Sequence, residues 1–536
     1  MKPPAGPIEI PIQELRDLLN SAREKLGAEG YRKLKAAIDT LAYLTSLIED
    51  QQTTIQKLRE LLAKPASTEK TEKVLENAGL KTGPEDASSQ KMPKKKPGKG
   101  HGRNGAGAYT AARRVPVPLA SLSSGDTCPK CLDGKLYAQR EPGVLVRPVG
   151  RAPIEATVYE LEKRRCSLCL EVFTAQAPPE AGDKKYDETA ASMMALLKYG
   201  YGVPFYRLDT LQSNLGIPLP PSTQWGVMKE TAEPLRPALE ELIRQGAQGK
   251  VLHNDDTKAR VLSLRRDQPE KGDDRTGVFT SGIVATTEGW KVALYFTGRQ
   301  HAGENLADVL KWRATDLSPP IQVSDALSRN APKRAGLTVL TAYCNAHGRR
   351  QFVEITPSFP EECRYVLESF RAVYHNDALA GEQKLSPEDR LRFHQENSGP
   401  VMKELHQWME AQFAGRKTEP NSGLGKAIAY LLRHWKKLTL FLREPGVPLD
   451  NNIVERSLKL AIRNRKNALF YKTLKGAAVG DLFMSLIHTC QLNDANPFDY
   501  LTALQRHAAE LKQKPSEWMP WNYRETLARL TMSVAA

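Results

Sequence analysis

The chain has 536 residues, with 77 lysines and arginines against 62 aspartates and glutamates, and its formal net charge is +15. This length predicts several domains rather than one core, and because no run of eighteen residues is apolar, we expect no membrane span. The positive charge is clustered, which favours a nucleic-acid partner over a generically basic surface.

The N-terminal segment, residues 1–64, carries a heptad pattern. Apolar residues recur every seven positions, and a second series with one polar member lies between them, as in a short coiled coil. We expect a helical segment for self-association, and hence a homo-oligomer, over a helix packed within one chain. The positions are Leu41, Leu44, Ile48, Gln51, Ile55, Leu58 and Leu62.

Residues 65–107 show no hydrophobic period and are rich in lysine, glycine and proline. Between residues 91 and 105 there is no acidic side chain. This composition predicts a basic, disordered linker that can lie along phosphates, and a simply solvated linker is the competing interpretation. The candidate DNA contacts are Lys94, Lys95, Lys96 and Arg103.

Two Cys-x-x-Cys pairs, Cys128/Cys131 and Cys166/Cys169, lie in residues 108–180. Four thiolates can close a tetrahedral structural site around one Zn²⁺ ion. The segment between the pairs is longer than usual, but it alternates like a hairpin, so a zinc ribbon is favoured over unligated core cysteines or a redox pair. The same pairs favour a reducing, cytoplasmic compartment over a disulfide framework.

Residues 181–245 predict helices at 192–199 and 206–214, a turn at 216–218, and a helix from 222 through 231. This order is typical of a helix-turn-helix DNA-binding region, although a helical hairpin without DNA contact fits it equally. In the predicted recognition helix the candidate DNA contacts are Gln224 and Lys229.

Beyond residue 245 the composition changes to that of strands. Strands are predicted at 251–255, 277–286 and 290–296, followed by a helix at 304–312 and strands at 321–324 and 338–343. Asp255 and Asp325 follow two of these strands. We therefore expect a ribonuclease-H-like α/β domain whose first part is 246–357, a helical insertion at 358–445, a further catalytic helix at 446–480, and a helical C-terminal domain at 481–536.

That further helix follows Asp450-Asn451-Asn452, of which Asp450 or Asn451 can cap its start. Its apolar stripe is predicted to be Val454, Leu458, Ala461, Ile462 and Leu469. Glu455 lies within a row of cations, which favours a metal beside phosphates over a solvated basic face. Carboxylates Asp255, Asp325 and Glu455 could together hold two Mg²⁺ or Mn²⁺ ions for phosphodiester chemistry. The neighbouring cations are Arg456, Lys459, Arg463, Arg465 and Lys466.

From about residue 40 to 510 the chain resembles bacterial DDE transposases of the insertion-sequence family numbered sixty-six. The last of the matching stretches is the most specific. They are Gly100-His101-Gly102-Arg103, the two cysteine pairs, Lys198-Tyr199 through Pro204, Tyr206 and Arg207, His253-Asn254-Asp255-Asp256-Thr257, Ala346-His347-Gly348-Arg349-Arg350-Gln351-Phe352, and Asp450-Asn451-Asn452 through Glu455-Arg456 to Arg465-Lys466-Asn467.

The resemblance implies that Asp255, Asp325 and Glu455 are the catalytic triad of DNA strand cleavage and strand transfer at the terminal inverted repeats of a mobile element. It also implies that His347 and Arg350 lie near the phosphate, with a capping histidine and a solvated arginine as the alternative. The family has Asp-Glu-Thr where this chain has Asp255-Asp256-Thr257. Asp256 is therefore a second candidate for the first ligand, although Asp255 aligns with the family's first aspartate.

The partner implied is double-stranded DNA, both transposon ends and target, in the nucleoid of a bacterial cytoplasm. The resemblance leaves open whether small accessory proteins of the same element take part. A non-catalytic, domesticated DNA-binding protein or regulator would share the cysteine pairs, the helix-turn-helix and the charge, and a nuclease of Holliday junctions would share the fold. The presence of all three acids favours the transposase.

Overall fold

The computed structural model describes residues 12–22, 27, 29–40, 70–77, 106–109, 112–117, 122–137, 144–148, 150–264, 275–333, 336 and 338–535. The predicted coiled-coil positions, and the linker residues Lys94, Lys95, Lys96 and Arg103, lie outside these ranges. Among the described residues the mixed α+β class is confirmed. None of the described helices has both the length and the apolar character that crossing a bilayer requires.

Helices make up most of the described chain. They are α1 (Ile12–Ser21), α2 (29–40), α3 (Thr71–Asn77), α4 (Glu188–Ala195), α5 (Phe205–Asn214), α6 (Pro221–Gly246), α7 (Ala302–Val309), α8 (Asn345–Ile355), α9 (Pro360–Glu382), α10 (Pro387–Asn397), α11 (Gly399–Ala414), α12 (Gly423–Leu438), α13 (Asn452–Ala468), α14 (Leu474–Leu492), α15 (Pro497–Arg506), α16 (Ala508–Gln513) and α17 (Tyr523–Ala535). A π-helix, Leu196–Gly200, follows α4 directly.

The strands are β1 (Lys163–Arg165), β2 (Val172–Thr174), β3 (Val251–Lys258), β4 (Phe279–Thr286), β5 (Lys291–Gly298), β6 (Ile321–Ser324) and β7 (Leu340–Tyr343). The hairpin expected between the two cysteine pairs is absent from the described residues of 144–161, and the hairpin of β1 and β2 instead surrounds the second pair. Strands β3 to β7 fall where alternating or β-branched residues predicted them, within two or three residues. The helical character predicted for 358–445 and for the C-terminal segment is also present.

The chain forms two compact units, and β3 begins in one and ends in the other. The first unit comprises the described residues of Met1–Thr82, Lys250–Asp255 and Asp316–Val454. Here β6 lies between the start of β3 and β7 and runs parallel to both, with Ile321 in register with Val251 and Leu340. All four residues of β6 are buried, as expected for a parallel strand covered on both faces.

Helices α3, α8, α9, α11 and α12 supply most of the rest of the core of the first unit. Their apolar faces pack with β6 and β7 in one cluster, in which Val323, Phe352, Leu405, Ile428 and Leu431 are fully buried. The helical insertion between β7 and α13 is therefore part of this core and not an appendage to it.

The second unit comprises the described residues of Gly83–Gly249, Asp256–Thr315 and Glu455–Ala536. Strands β4 and β5 pair antiparallel over their whole length, from Phe279 opposite Gly298 to Thr286 opposite Lys291. The last residues of β3, 256–258, belong to this unit, and β4 is the neighbour of β3 on this side. Strand β5 is the outer strand.

Helix α14 covers the free edge of β5 with polar side chains spaced four residues apart. Four residues of helix rise about 6.0 Å and two residues of strand about 6.7 Å, so the two periods match. Each helix side chain accepts the N–H of an alternate strand residue at 2.7 to 3.1 Å, which satisfies an edge that would otherwise recruit another strand. The pairs are Asp481 with Thr297, Ser485 with Tyr295, Thr489 with Ala293, and Asn493 with Lys291.

Candidate catalytic site and DNA-binding elements

Asp255 and Asp325 share one hydrogen-bond donor. The side-chain nitrogen of Asn330 donates to Asp255 Oδ1 at 3.2 Å and to Asp325 Oδ1 at 2.6 Å. Asp325 directly follows β6. Asp255 and Asp325 each lie two residues beyond the pair His253–Val323, so the parallel register of β3 and β6 brings the two aspartates level with each other. Because an amide nitrogen carries two N–H groups, it can serve both carboxylates at once, so the structure brings together two of the three predicted acids.

Asn330 is itself fixed by a buried network. It ends a short 3₁₀ helix, Ser328–Asn330, and its backbone carbonyl accepts from Asn254 Nδ2 at 2.8 Å and from Gln322 Nε2 at 3.0 Å. Its side-chain oxygen is buried and has no hydrogen-bond partner among the described residues. An unsatisfied buried acceptor costs free energy, which makes this oxygen a candidate ligand for a cation.

Asp256, the alternative first ligand, is directed elsewhere. Successive residues of a strand point to opposite faces, and the side chain of Asp256 is only 1% exposed and lies 2.8 Å from His301 Nδ1. His301 precedes α7 and its ring contacts Phe279. The geometry thus distinguishes the two neighbouring carboxylates and associates Asp255, not Asp256, with Asp325.

Asn451 connects the segment before α13 to β3. Its Oδ1 lies 3.0 Å from His253 Nδ1, its Nδ2 donates to the carbonyl of Asn254 at 3.2 Å, and its backbone N–H donates to Cys344 Sγ at 3.3 Å. Burial lowers the pKa of His253 to about 4, although the hydrogen bond to Asn451 opposes this. His253 is therefore neutral at pH 7, and since Asn451 presents its oxygen, the proton is on Nδ1.

The cap of α13 is Asp450, whose Oδ1 accepts the N–H of Asn452 at 3.0 Å. Val454, Leu458 and Ala461 are buried as predicted. The prediction for Leu469 is wrong: this residue is 63% exposed. The helix ends at Ala468, and Leu469 takes a positive φ of 66° there, so its side chain leaves the apolar stripe.

Glu455 lies in the first turn of α13 and is half-buried. It is the first residue of the second unit, whereas Asp255 and Asp325 belong to the first. Among the cations of this helix, Arg456, Lys459, Arg463 and Lys466 are exposed. Arg465 is half-buried and donates to Thr257 Oγ1 at 3.2 Å and to the carbonyl of Lys258. His347 and Arg350 are half-buried on α8.

The first Cys-x-x-Cys pair lies in a tight loop. The N–H of Cys128 donates to the carbonyl of Gly134 at 2.7 Å, and that of Leu132, whose φ is 63°, donates to the carbonyl of Cys128 at 2.9 Å. The N–H of Gly134 points at Cys131 Sγ, 3.4 Å away. This contact, with those of Asp133 and Cys128, lowers the pKa of the Cys131 thiol.

The second pair repeats the same loop at the end of the β1–β2 hairpin. The N–H of Cys166 donates to the carbonyl of Glu171 at 2.9 Å, and that of Leu170, with φ of 64°, donates to the carbonyl of Cys166 at 3.2 Å. The backbone N–H groups of Cys169 and Leu168 lower the pKa of Cys166. Both loops thus favour thiolates, the form of cysteine that binds metal.

Helices α5 and α6 are joined by a turn in which Gly216 has φ of 78°, close to where the sequence predicted it. Helix α6 continues to Gly246, well beyond the predicted end at 231, although Pro234 and Pro237 lie within it. Each proline removes one backbone donor from the helix, so the continuation beyond 231 is not evident from the sequence.

The prediction that Gln224 contacts DNA is wrong for this conformation. Its side chain is fully buried, and its Nε2 donates to the carbonyls of Phe205 and Leu219 at 2.9 and 2.7 Å. It therefore ties the start of α6 to the start of α5 and to the turn. Lys229, on the same helix, is exposed.

Asn330, Gln322 and Asn254 are the site residues whose roles sequence reasoning did not assign. Asn254 lies in a motif that the sequence analysis recognised. The sequence alone does not show that this asparagine, rather than one of the two aspartates after it, has a supporting role. Gln322 carries one signal, because a glutamine within an otherwise apolar four-residue strand must find a buried partner. The sequence gives no such signal for Asn330, because its separation from Asp325 in the chain would fit a loop of any kind.

A family model described as the transposase IS66 family matches residues 185–479 of the chain. Three similar proteins come from Sinorhizobium fredii (strain NBRC 101917 / NGR234). The uncharacterized protein y4jD is 27% identical over 377 residues, which is 67% of this chain and 71% of the relative. The uncharacterized protein y4hP is 26% identical over 397 residues, covering 70% and 69%, and the uncharacterized protein y4qI is 24% identical over 362, covering 63% and 62%.

The family match covers more than half of the chain and includes Asp255, Asp325 and Glu455. It confirms the resemblance that the sequence motifs indicated. This chain belongs to the transposase IS66 family.

Proposed function

We propose that the chain is a DDE-type transposase that binds the terminal inverted repeats of a mobile element and cleaves and joins DNA strands. Asp255, Asp325 and Glu455 are the proposed catalytic acids and would hold two Mg²⁺ or Mn²⁺ ions. The observation that carries the proposal is the shared contact of Asp255 and Asp325 with Asn330. Two carboxylates level with each other on adjacent parallel strands repel one another when both are ionised, and a divalent cation would relieve that repulsion.

The donor set fits Mg²⁺. Hard divalent cations take oxygen ligands, chiefly carboxylates and amide carbonyls, and Asp255, Asp325 and the partnerless Asn330 Oδ1 are oxygen donors. When bound, the ions supply an activated water or hydroxyl nucleophile and stabilise the leaving oxygen of the phosphodiester. Glu455 would complete the set from α13.

The surrounding side chains keep these acids in place. The amide of Asn330 offsets the repulsion between Asp255 and Asp325, and Asn254 and Gln322 hold its backbone. Neutral His253 and Asn451 join β3 to the residues that lead into α13. Hydrogen bonds of this kind fix the orientation of the side chains that bind the metal directly and tune their affinity for it.

A structural zinc ion is the second proposed cofactor. Two loops of matched geometry, each with a thiol whose pKa is lowered by backbone N–H groups, support Cys128, Cys131, Cys166 and Cys169 as its ligands. The exposed hairpin that carries the second pair has few apolar contacts of its own, so a metal would contribute folding free energy there. One Zn²⁺ per chain is expected.

Double-stranded DNA is the proposed partner. Helices α5 and α6 support a helix-turn-helix, with Lys229 as its exposed cation, and the exposed Arg456, Lys459, Arg463 and Lys466 support phosphate contacts along α13. Lys94, Lys95, Lys96, Arg103, His347 and Arg350 remain proposed DNA contacts. A homo-oligomer, with transposon ends and target DNA bound together, is part of the same proposal.

The deciding experiment is nicking and strand transfer on DNA that carries the element's own ends, in Mg²⁺ or Mn²⁺. Asp325→Asn and Glu455→Gln keep the shape of each side chain but remove its charge, and each should lower cleavage at least a hundredfold, at about 1.4 kcal/mol per factor of ten. DNA binding measured without added Mg²⁺ or Mn²⁺ should survive in both. Asp316→Asn, at an exposed acid before β6, is the matched control and should cleave normally.

The same assay separates the alternatives. A non-catalytic regulator would bind the ends and cleave nothing even as wild type, and a junction nuclease would prefer branched DNA without those ends. Asp256→Asn should keep cleavage if its fold is intact, as checked by thermal melting, whereas Asp255→Asn should lose it. Loss in Asp256→Asn alone would reverse this assignment of the first ligand.

A further inference from the structure

A cationic pocket lies beside the end of β3, and all of its lining belongs to the second unit. Four positive side chains contribute to it, Lys198, Lys258, Arg260 and Arg465, and its lining contains no acidic residue. The cavity measures about 20 Å³, which is room for about one water molecule. A pocket of this size and charge suits a single anionic oxygen and excludes a nucleobase.

Lys198 is the unusual member of this group. Its side chain is only 8% exposed, and its ammonium faces the rings of Phe205 and Tyr199 at 5.2 and 5.9 Å. No hydrogen bond or ion pair to that ammonium occurs among the described residues. Burial lowers the pKa of Lys198 to about 8. A buried cation without a counter-charge is costly, so this arrangement is explained if an anion completes it.

The backbone at Lys198 gives an independent sign of function. Lys198 lies in the π-helix Leu196–Gly200, and single π-helical turns are found frequently at functional sites. Asn464 on α13 holds this turn by donating to the carbonyl of Tyr199 at 3.2 Å. The position of the ammonium is therefore set by the π-helical turn and by a buried asparagine.

Arg465 is oriented in the same way before any ligand arrives. Its guanidinium donates to Thr257 Oγ1 and to the carbonyl of Lys258, which fixes it at the pocket wall. Arg260 is exposed and stacks over the ring of Phe470, 5.9 Å from its centre. Two fixed cations and one at the rim make a preorganised anion site.

We propose that this pocket binds a non-bridging oxygen of a DNA phosphodiester close to the one that is cleaved, with Lys198 as its central ligand. The inference rests on the proposed function for the identity of the anion. Thr257, at the pocket wall, is two residues beyond Asp255 on the same strand, hence on the same face and about 7 Å along it. A 5′-terminal phosphate presents the same oxygen chemistry as an internal phosphodiester.

The test is binding of a duplex with the element's end, measured without added Mg²⁺ or Mn²⁺ so that cleavage does not enter. In one series each phosphate near the cleavage position is replaced in turn by a neutral methylphosphonate, and in another the 5′ end is phosphorylated or left as a hydroxyl. Lys198→Met keeps the aliphatic stem and removes the charge. Lys512→Met, an exposed lysine on α16 of the same unit, is the matched control.

We expect Lys198→Met to weaken binding at least tenfold and to lower the slope of log K against log salt by about 0.9. One methylphosphonate should weaken wild type and Lys512→Met but have no further effect on Lys198→Met. If only the 5′-phosphate series shows this coupling to Lys198, the pocket binds the phosphate at the strand end. If only an internal position shows it, the pocket binds a phosphodiester of the DNA backbone.

The proposal is overturned if every methylphosphonate weakens Lys198→Met as much as wild type while that variant melts like wild type. A fold defect is recognised separately, because Lys198→Arg keeps the charge and should then fail as well. Normal nicking by wild type together with absent coupling would reject the pocket and leave the transposase intact, whereas absence of both binding and nicking in wild type would reject both.

Discussion

Asn451 and His253 are 198 residues apart in the chain and are joined by a buried hydrogen bond of 3.0 Å. His253 lies on β3 two residues before Asp255, and Asn451 immediately precedes α13. One side-chain pair thus joins the strand of the first proposed acid to the segment that leads into the helix of the third. Asn451 belongs to the stretch that matched the family most specifically. Within the first unit its role is structural, because it connects β3 to the segment before α13.

Replacing Asn451 by alanine should therefore destabilise the fold before it affects chemistry. The change leaves the buried His253 Nδ1–H and the carbonyl of Asn254 without partners, and each unsatisfied group costs about 1 to 3 kcal/mol. Chemical denaturation should show a loss in this range. Asn397→Ala, at an exposed asparagine that ends α10, should change stability by less than about 0.5 kcal/mol. Equal stability of Asn451→Ala and wild type would contradict the connection.

The effect of losing zinc should be separable from the effect of losing Mg²⁺. Metal analysis should find about one zinc per chain, and Cys166→Ser should abolish it and lower the melting temperature of residues 108–180, because binding free energy is folding free energy. Mg²⁺ should not restore that loss. Cys363→Ser provides the control, since this thiol is buried in the core of the first unit and should cost stability without changing zinc content. Full zinc in Cys166→Ser would refute the four-cysteine site.

Much of the fold followed from local patterns. The strands at Val251–Lys258, Phe279–Thr286 and Ile321–Ser324 were predictable because runs of apolar and β-branched residues end in polar residues there. An acidic residue at the end of such a run can also be recognised from the sequence alone. The end of α6 was not predictable, because Pro234 and Pro237 indicated a break that tertiary packing overrides.

The candidate site was only partly predictable for a different reason. Asp255 and Asp325 could be placed at one sheet edge by parallel topology, but Asn330 acts through a 3₁₀ turn whose position no periodicity encodes. The prediction that Gln224 contacts DNA failed because helical spacing alone does not show which face of α6 is covered by the rest of the protein. Lys198 sat in a recognised motif, yet nothing in the sequence indicated that its ammonium is buried against aromatic rings.

The two residues of α6 should behave differently when they are substituted. Gln224→Ala removes the side-chain donor to the carbonyl of Leu219 and the second donor to that of Phe205, so it should lower stability by about 1 to 3 kcal/mol. Lys229→Ala removes an exposed charge and should leave stability within about 0.5 kcal/mol while weakening DNA binding. Melting curves and binding of end DNA at several salt concentrations measure both. Weakened binding by Gln224→Ala with wild-type stability would restore Gln224 as a DNA contact.

The pH dependence of stability should contain a contribution from Asp481 on α14. This side chain accepts both the N–H and the hydroxyl of Thr297 at 2.7 Å on the edge strand β5. Burial raises its pKa to about 7, although the hydrogen bonds from Thr297 oppose the shift. A carboxyl whose pKa is raised on folding stabilises most below its unfolded pKa of about 4, and that contribution is lost as the pH rises through 7.

Asp481→Asn should remove this dependence. Asparagine resembles the protonated acid, because its oxygen can accept the N–H of Thr297 while its amide donates to the hydroxyl, so the cover on β5 is kept. Between pH 5 and pH 9 the unfolding free energy of wild type should fall relative to the variant by a few kcal/mol, at about 1.4 kcal/mol per unit of pKa shift. Asp308→Asn, at a surface acid of the same unit, should follow wild type. Parallel curves for Asp481→Asn and wild type would mean that Asp481 is ionised throughout, and that the edge of β5 is covered by a buried charge.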